Sequence, residues 1–163
     1  MALLTILTEK DPILRKRSRP VTEINDRILT LLDDMAETMR HAEGVGLAAV
    51  QVGVLRRVVV IECEPGQLIE LINPVIVETS GLQRTREGCL SLPGKCGLTE
   101  RPMKVTVEAT NREGKHFCVT GTGLLAKAFC HEIDHLDGIL YSDVAKKMLT
   151  PEEIRAGGAD LES

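Results

Sequence analysis

The sequence predicts an α+β fold, and three observations carry that expectation. Segments of strand character gather in the middle of the chain, at residues 58–61, 71–77, 103–110 and 115–120. An amphipathic helix precedes them and a second helix follows. Strands grouped between helices, and not alternating with them, favour segregated layers over a doubly wound parallel sheet. The length of 163 residues is that of one domain spanning 1–163, large enough to bury a core without covalent staples.

Taken in order, Asp11-Pro12 opens a short helical turn that runs through Arg15. From Asn25 to about Arg40, the residues Ile28, Leu31, Leu32, Met35 and Met39 recur at helical spacing with acids interleaved. A small-residue segment follows, Gly44-Val45-Gly46-Leu47-Ala48-Ala49-Val50-Gln51. Val58-Val59-Val60-Ile61 is a β-branched run, and Pro74 inside the 71–77 run marks a sheet edge or a bulge. Met103, Val105, Val107 and Ala109 alternate with polar residues, the period of a half-buried strand. Asn111-Arg112-Glu113-Gly114 turns that strand into the next, giving a hairpin. The second helix is expected over 123–137, with Thr122 as N-cap and Gly138 as its stop. Thr150-Pro151-Glu152-Glu153 starts a last helix, which Gly157-Gly158 cuts short.

Composition removes several classes. Phe117, Phe129 and Tyr141 are the only aromatics and the net charge is −4, so neither stacking platforms nor a basic groove is available for direct nucleic-acid binding. The core is therefore aliphatic. No apolar stretch approaches the roughly 20 residues of a membrane span, and residues 3–7 are too short and too poorly flanked for a secretory signal, so a cytoplasmic protein of bacterial type is expected. Five cysteines without CxxC spacing argue against a disulfide framework or a zinc ribbon.

Chemistry concentrates in His131-Glu132-Ile133-Asp134-His135, an HExxH sequence inside the second expected helix. Four residues are slightly more than one turn, so both imidazoles project from one face toward one metal ion. Glu132, about 100° around the axis, can stand beside a metal-bound water without being a ligand. A bare HExxH is equally compatible with a surface helix carrying two histidines, but Leu124 and Ala128 continue the His131/His135 stripe as an apolar face. A third ligand is required. Asp137 has the wrong helical phase, and no His follows His135. Upstream, Glu87-Gly88-Cys89-Leu90-Ser91-Leu92-Pro93 places a cysteine in what reads as an irregular loop. On spacing alone, Cys89 is as much a small buried hydrophobe as a ligand.

Together the segments Gly44 to Gln51, Glu87-Gly88-Cys89-Leu90-Ser91 and His131 to His135 resemble the peptide deformylases. The resemblance extends to Asp11-Pro12-Ile13-Leu14-Arg15 and Glu100-Arg101-Pro102, and so reaches to about residue 145. It implies β-sheets packed around a central helix that carries both histidines. It implies a divalent ion on Cys89, His131 and His135 with water in the fourth position: Fe²⁺ in the cell, with Zn²⁺, Ni²⁺ or Co²⁺ able to substitute. The implied reaction removes the formyl group from the N-formylmethionine of nascent polypeptides. Glu132 then relays the proton, while the Gln51 amide and the Leu90 backbone N–H face the oxyanion. An extended peptide is implied against Val45, Gly46 and Gly88, with its Met side chain among Leu124, Ala128 and the His131 ring. Glu87 and Arg101 are expected to pair and fix the Cys89 segment. The alternative for them is an exposed ion pair worth under about 1 kcal/mol.

Two positions depart from the family pattern. Cys130 stands where Gln is usual and reads as a small buried residue, and Lys127 reads as an exposed-face lysine near the pocket rim. Residues 142–163 hold three basic and five acidic side chains, so ribosome proximity stays open while a basic C-terminal docking helix is not expected. A general HExxH zinc peptidase and a catalytically silent family member are the rival readings. The first lacks a downstream third ligand here, and the second would be marked by loss of Glu132, Gln51 or Cys89.

Overall fold

The structure, a computed structural model, describes residues 2–156. Its elements are a 3-10 turn at Pro12–Arg15, α1 (Asp26–His41), β1 (Gly46–Ala48), a 3-10 turn at Ala49–Val52, β2 (Val58–Ile61), β3 (Ile69–Ser80), β4 (Gln83–Cys89), β5 (Leu92–Arg101), β6 (Lys104–Thr110), β7 (His116–Thr122), α2 (Leu124–Leu136), α3 (Tyr141–Val144), β8 (Lys147–Met148) and α4 (Pro151–Ala156). A five-stranded antiparallel sheet has the order β1-β2-β3-β6-β7, and a three-stranded one the order β4-β5-β8.

Helix α1 begins where the sequence places it, because the Asn25 side chain accepts from the Ile28 N–H and satisfies one of the orphan donors of the first turn. Its apolar stripe of Ile28, Leu32, Met35 and Met39 packs with Leu47, Val58, Val60 and Ile72. The opposite faces of the same strands, Ala48, Val59, Ile61 and Leu71, pack with Phe129, Ile133 and Leu136 of α2. Strand β2 therefore lies between two helices. That is why it is a continuous Val-Val-Val-Ile run with every side chain buried, and not an alternating one. Truncating Leu32 or Met35 to Ala in such a core costs about 2–5 kcal/mol.

Pro74 sits in a central strand and not at an edge. The register shifts between Ile72 and Val75 as Asn73 takes φ 54°, and the Asn73 amide binds both backbone groups of Val21. The bulge absorbs the missing proline N–H. The hairpin of β6 and β7 forms as expected, with the Asn111 side-chain Oδ1 accepting from the N–H groups of Glu113 and Lys115.

Two expectations need correction. Thr122 is exposed and ends β7, and the cap of α2 is Gly123 at φ 59°, a left-handed value that glycine tolerates without a Cβ penalty. The segment around Cys89 is not an irregular loop. It is the tip of the β4/β5 hairpin, with a register shift between Glu87 and Cys89. At its far end α2 closes as expected, the N–H groups of Gly138 and Ile139 bonding to the carbonyls of His135 and Asp134. The break expected at Gly157-Gly158 lies outside the described residues. No helix among the described residues is long and apolar enough to cross a membrane.

Candidate metal centre

Three residues from two elements converge on one buried point. The hairpin tip supplies Cys89, and α2 supplies His131 and His135, whose rings lie 4.9 Å apart at 72°. One ligand atom from each of the three residues lies within 4.8 Å of the others, and Cys89 Sγ is 3.3 Å from His135 Nε2. His131 Nδ1 bonds Glu87 Oε2 at 2.5 Å, which leaves Nε2 as a buried atom without a partner among the described residues. A buried imidazole nitrogen aimed at a thiol and a second imidazole is costly to leave unmatched, and these are donors of the kind that hold zinc or iron. Burial and the neighbouring His131 hold His135 well below its ordinary range, in the neutral form that binds a cation. The residues fit a divalent metal.

Around the centre Glu87, Thr99 and Arg101 are buried and Asp134 is half-buried. Burial alone would raise the Glu87 carboxyl, but hydrogen bonds from His131 and Arg101 outweigh it and keep the group well below the carboxylate range. Arg101 donates through Nε and Nη2 to both Glu87 oxygens at 3.1 and 2.9 Å, and through Nη1 to Asp134 Oδ2 at 2.9 Å. Thr99 Oγ1 donates to Glu87 Oε1 at 2.7 Å. With Glu87 at 1% and Arg101 at 6% exposure, the exposed ion-pair alternative is excluded. The Glu87–His131 contact orients the ring, as outer partners of metal-binding histidines do.

Glu132 lies on the same side of α2, with Oε2 3.9 Å from His131 Nε2 and Oε1 unpartnered. Burial pushes its carboxyl up to about 7, against the opposing pull of His131. The carboxylate rests on the backbone of β1: a Cβ added at Gly46 would stand 2.6 Å from Glu132 Oε2. Gly46 is thus a glycine because the Glu132 side chain occupies the place of its own. Gln51, in the turn after β1, accepts from the Ala48 N–H at 2.9 Å and points its amide at Ser91 Oγ (3.0 Å) and Cys89 Sγ (3.6 Å). Leu90 forms the hairpin turn directly after Cys89. Gly88 precedes it on β4 and Val45 precedes β1. Strands β1 and β4 are both edges of their sheets. On α2, Ala128 is buried and Leu124 half-buried.

Sequence reasoning missed several neighbours. Lys127 is buried and not exposed, its ammonium donating to Thr85 Oγ1 at 2.8 Å and to the Arg86 carbonyl at 2.9 Å. Tyr141 is buried with its ring stacked on His131 at 6.0 Å and 25°. Asp134 and Thr99 read only as polar residues in polar company, and their contacts with Arg101 and Glu87 are not local in sequence. Cys130 packs in the main core as expected, with burial pushing its thiol up to about 11.

A buried cluster of a hairpin cysteine with the two histidines of an HExxH helix, beside a glutamate whose carboxyl burial raises, has the arrangement of a metal-dependent hydrolase centre. Residues 3–150 match the family model described as polypeptide deformylase. A peptide deformylase of Acetivibrio thermocellus is 58% identical over 154 residues, covering 94% of this chain and 90% of the relative, and one of Alkaliphilus metalliredigens is 58% identical over 143 residues, covering 88% and 97%. The crystal structure of the peptide deformylase from Thermotoga maritima superposes with a TM-score of 0.86 at 36% identity, covering 90% of this chain and 99% of that one. The chain belongs to the peptide deformylase family, whose members are metal-dependent.

Proposed function

We propose that the protein removes the formyl group from the N-formylmethionine of newly made polypeptides, as one catalytic domain acting in the cytoplasm. The observation that carries this reading is the buried Cys89/His131/His135 cluster with Glu132 beside it. Cys89 as thiolate, His131 through Nε2 and His135 would hold one divalent ion. When bound, that ion supplies Lewis acidity toward a water and a carbonyl oxygen. Fe²⁺ is the proposed ion in the cell, with Zn²⁺, Ni²⁺ and Co²⁺ as substitutes, since one thiolate and two imidazoles suit borderline cations.

The chain's own groups then do the following. Glu132 takes a proton from the attacking water and returns it to the amine nitrogen as the formyl C–N bond breaks, yielding formate and a free N-terminus. A carboxyl near 7 suits both directions of that transfer at neutral pH. Gln51 Nε2 and the Leu90 N–H stabilise charge on the formyl oxygen. The peptide lies extended between Val45 and Gly46 on one edge and Gly88 on the other, in a strand-addition mode, with its Met side chain against Leu124, Ala128 and the His131 ring. The acidic excess of residues 142–163 is the reason no basic ribosome-docking helix is part of this proposal.

Formate release from a formyl-Met peptide, by protein purified without oxygen, tests the reading. The wild type is expected to release formate, and Glu132→Ala to lose at least about 100-fold of that rate, the scale of a missing general base, while keeping its metal. Cleavage of internal peptide bonds instead would mark a peptidase, and metal-loaded wild type without formate release would overturn the proposal.

A further inference from the structure

Four contacts join β4 to α2, and they are evenly spaced on both elements. Gln83 Nε2 donates to the Gly123 carbonyl at 2.8 Å and Lys127 Nζ to Thr85 Oγ1 at 2.8 Å; Glu87 Oε2 meets His131 Nδ1 at 2.5 Å and Cys89 Sγ lies 3.3 Å from His135 Nε2. On the strand the first three partners are residues 83, 85 and 87, every second position and so one face of the pleat, and Cys89 follows two residues on, past the register shift after Glu87. On the helix they are 123, 127, 131 and 135, every fourth position and so one stripe. Two strand residues advance about 6.7 Å and four helix residues about 6.0 Å. The two repeats therefore stay nearly in step over four rungs, with strand and helix running in the same direction.

The last two rungs are the proposed metal centre and its Glu87 partner. The first two contain no ligand, yet they fix the same register. We infer that Lys127 is a positioning residue: its buried ammonium, held by the Thr85 hydroxyl and the Arg86 carbonyl, sets the register of β4 against α2 and so delivers Cys89 to the two histidines. The physical reason is selective. A buried ammonium needs acceptors, and Thr85 Oγ1 and the Arg86 carbonyl on β4 are two that meet it. Sliding the strand by one residue would turn Thr85 and Glu87 away from the helix together, taking the Thr85 hydroxyl from the ammonium and the Glu87 carboxylate from His131. Gln83 adds a weaker rung at the helix start, on a carbonyl that also accepts from the Lys127 N–H at 3.0 Å.

This inference rests on the metal-centre reading, and its test has a readout that does not need turnover. The protein is loaded with Co²⁺, whose thiolate absorption reports the Cys89 bond, and loss of that absorption to EDTA is timed alongside kcat and KM for formate release. Lys127→Met keeps the length and removes the donors. It is expected to speed cobalt loss and lower kcat, each by about 10-fold, the lower end for groups supporting metal ligands, with KM unchanged. Lys127→Arg is expected to restore both to within about 3-fold. Wild-type cobalt retention in Lys127→Met, or a rise in KM alone, overturns the inference. If Lys127→Met does not fold, Thr85→Val decides it: faster cobalt loss supports the rung and a wild-type rate removes it. A wild type that holds cobalt but releases no formate would overturn only the deformylase reading, leaving the retention comparison intact.

Discussion

Arg101 and Arg112 each hold two carboxylates, and the chemistry is nearly the same. Arg101 bonds Glu87 through two nitrogens and Asp134 through a third; Arg112 bonds Glu70 through two and Asp33 at 2.7 Å. They differ in their surroundings. The Arg101 and Glu87 side chains are 8% and 1% exposed, whereas Arg112 and Asp33 are 33% and 42% exposed. A buried pair has already lost its water, so each member depends on the other, while an exposed pair exchanges its partner for solvent at small cost. The first cluster also ends on a candidate metal-binding imidazole, and the second on the outside of α1. The difference teaches that in this chain the place of an ion pair, and not its geometry, decides whether it serves the site.

The largest effect is expected from Glu87→Ala. It leaves Arg101 and the His131 Nδ1 proton without their buried acceptor, so the metal-loaded protein should lose about 3–5 kcal/mol in urea unfolding, the range for breaking one side of a buried pair. Metal affinity should fall about 10- to 100-fold, as for other outer partners of ligating histidines. A urea midpoint and metal affinity matching those of Arg112→Ala would break the comparison.

Replacing Arg101 by Lys sharpens it. The charge is kept and the fork is lost, so one ammonium must serve Glu87 and Asp134 from a point. With a charged hydrogen bond worth about 1.5–3 kcal/mol, the expected loss is about 2 kcal/mol, with metal affinity reduced less than in Glu87→Ala. Equal retention of metal and stability in Arg101→Lys would show that charge alone suffices and that the bidentate contact orients nothing.

The sequence disclosed these two regions unequally, for physical reasons. Local periodicity exposes α1, with its Asn25 cap and its Ile28 to Met39 stripe, and the alternating 103–110 strand, because each buries one face against an apolar partner. Strands β4 and β5 escape the same reasoning. Arg84, Arg86, Glu87 and Glu100 give them no apolar alternation, since the inward face of β4 is itself polar and is matched by Lys127 and His131 on α2. The 131–135 segment announces its chemistry through i, i+4 spacing, a property of one helix. Lys127 looks like surface because nothing near it in sequence reveals Thr85, 42 residues away. Tyr141 is hidden likewise, since its stacking on His131 depends on how α3 returns over the helix. Glu87 with Arg101 was legible as a pair, though not as a buried one.

The smallest effect is expected from Arg112→Ala. This arginine ties the turn between β6 and β7 to Glu70 on β3 and to Asp33 on α1, all at the rim of the molecule. Solvent can replace each contact, so the loss should stay under about 1 kcal/mol. That loss should shrink further in 1 M salt, where the screening length is about 3 Å. Formate release and metal retention should match the wild type, since neither Glu70 nor Asp33 contacts α2 or the β4/β5 hairpin through any polar bond observed among the described residues. Measured side by side with Glu87→Ala across salt concentrations, the two variants should diverge: the exposed cluster's effect vanishes with screening and the buried one's persists. Equal salt sensitivity would mean that water reaches Glu87, and the buried ordering of the site would have to be abandoned.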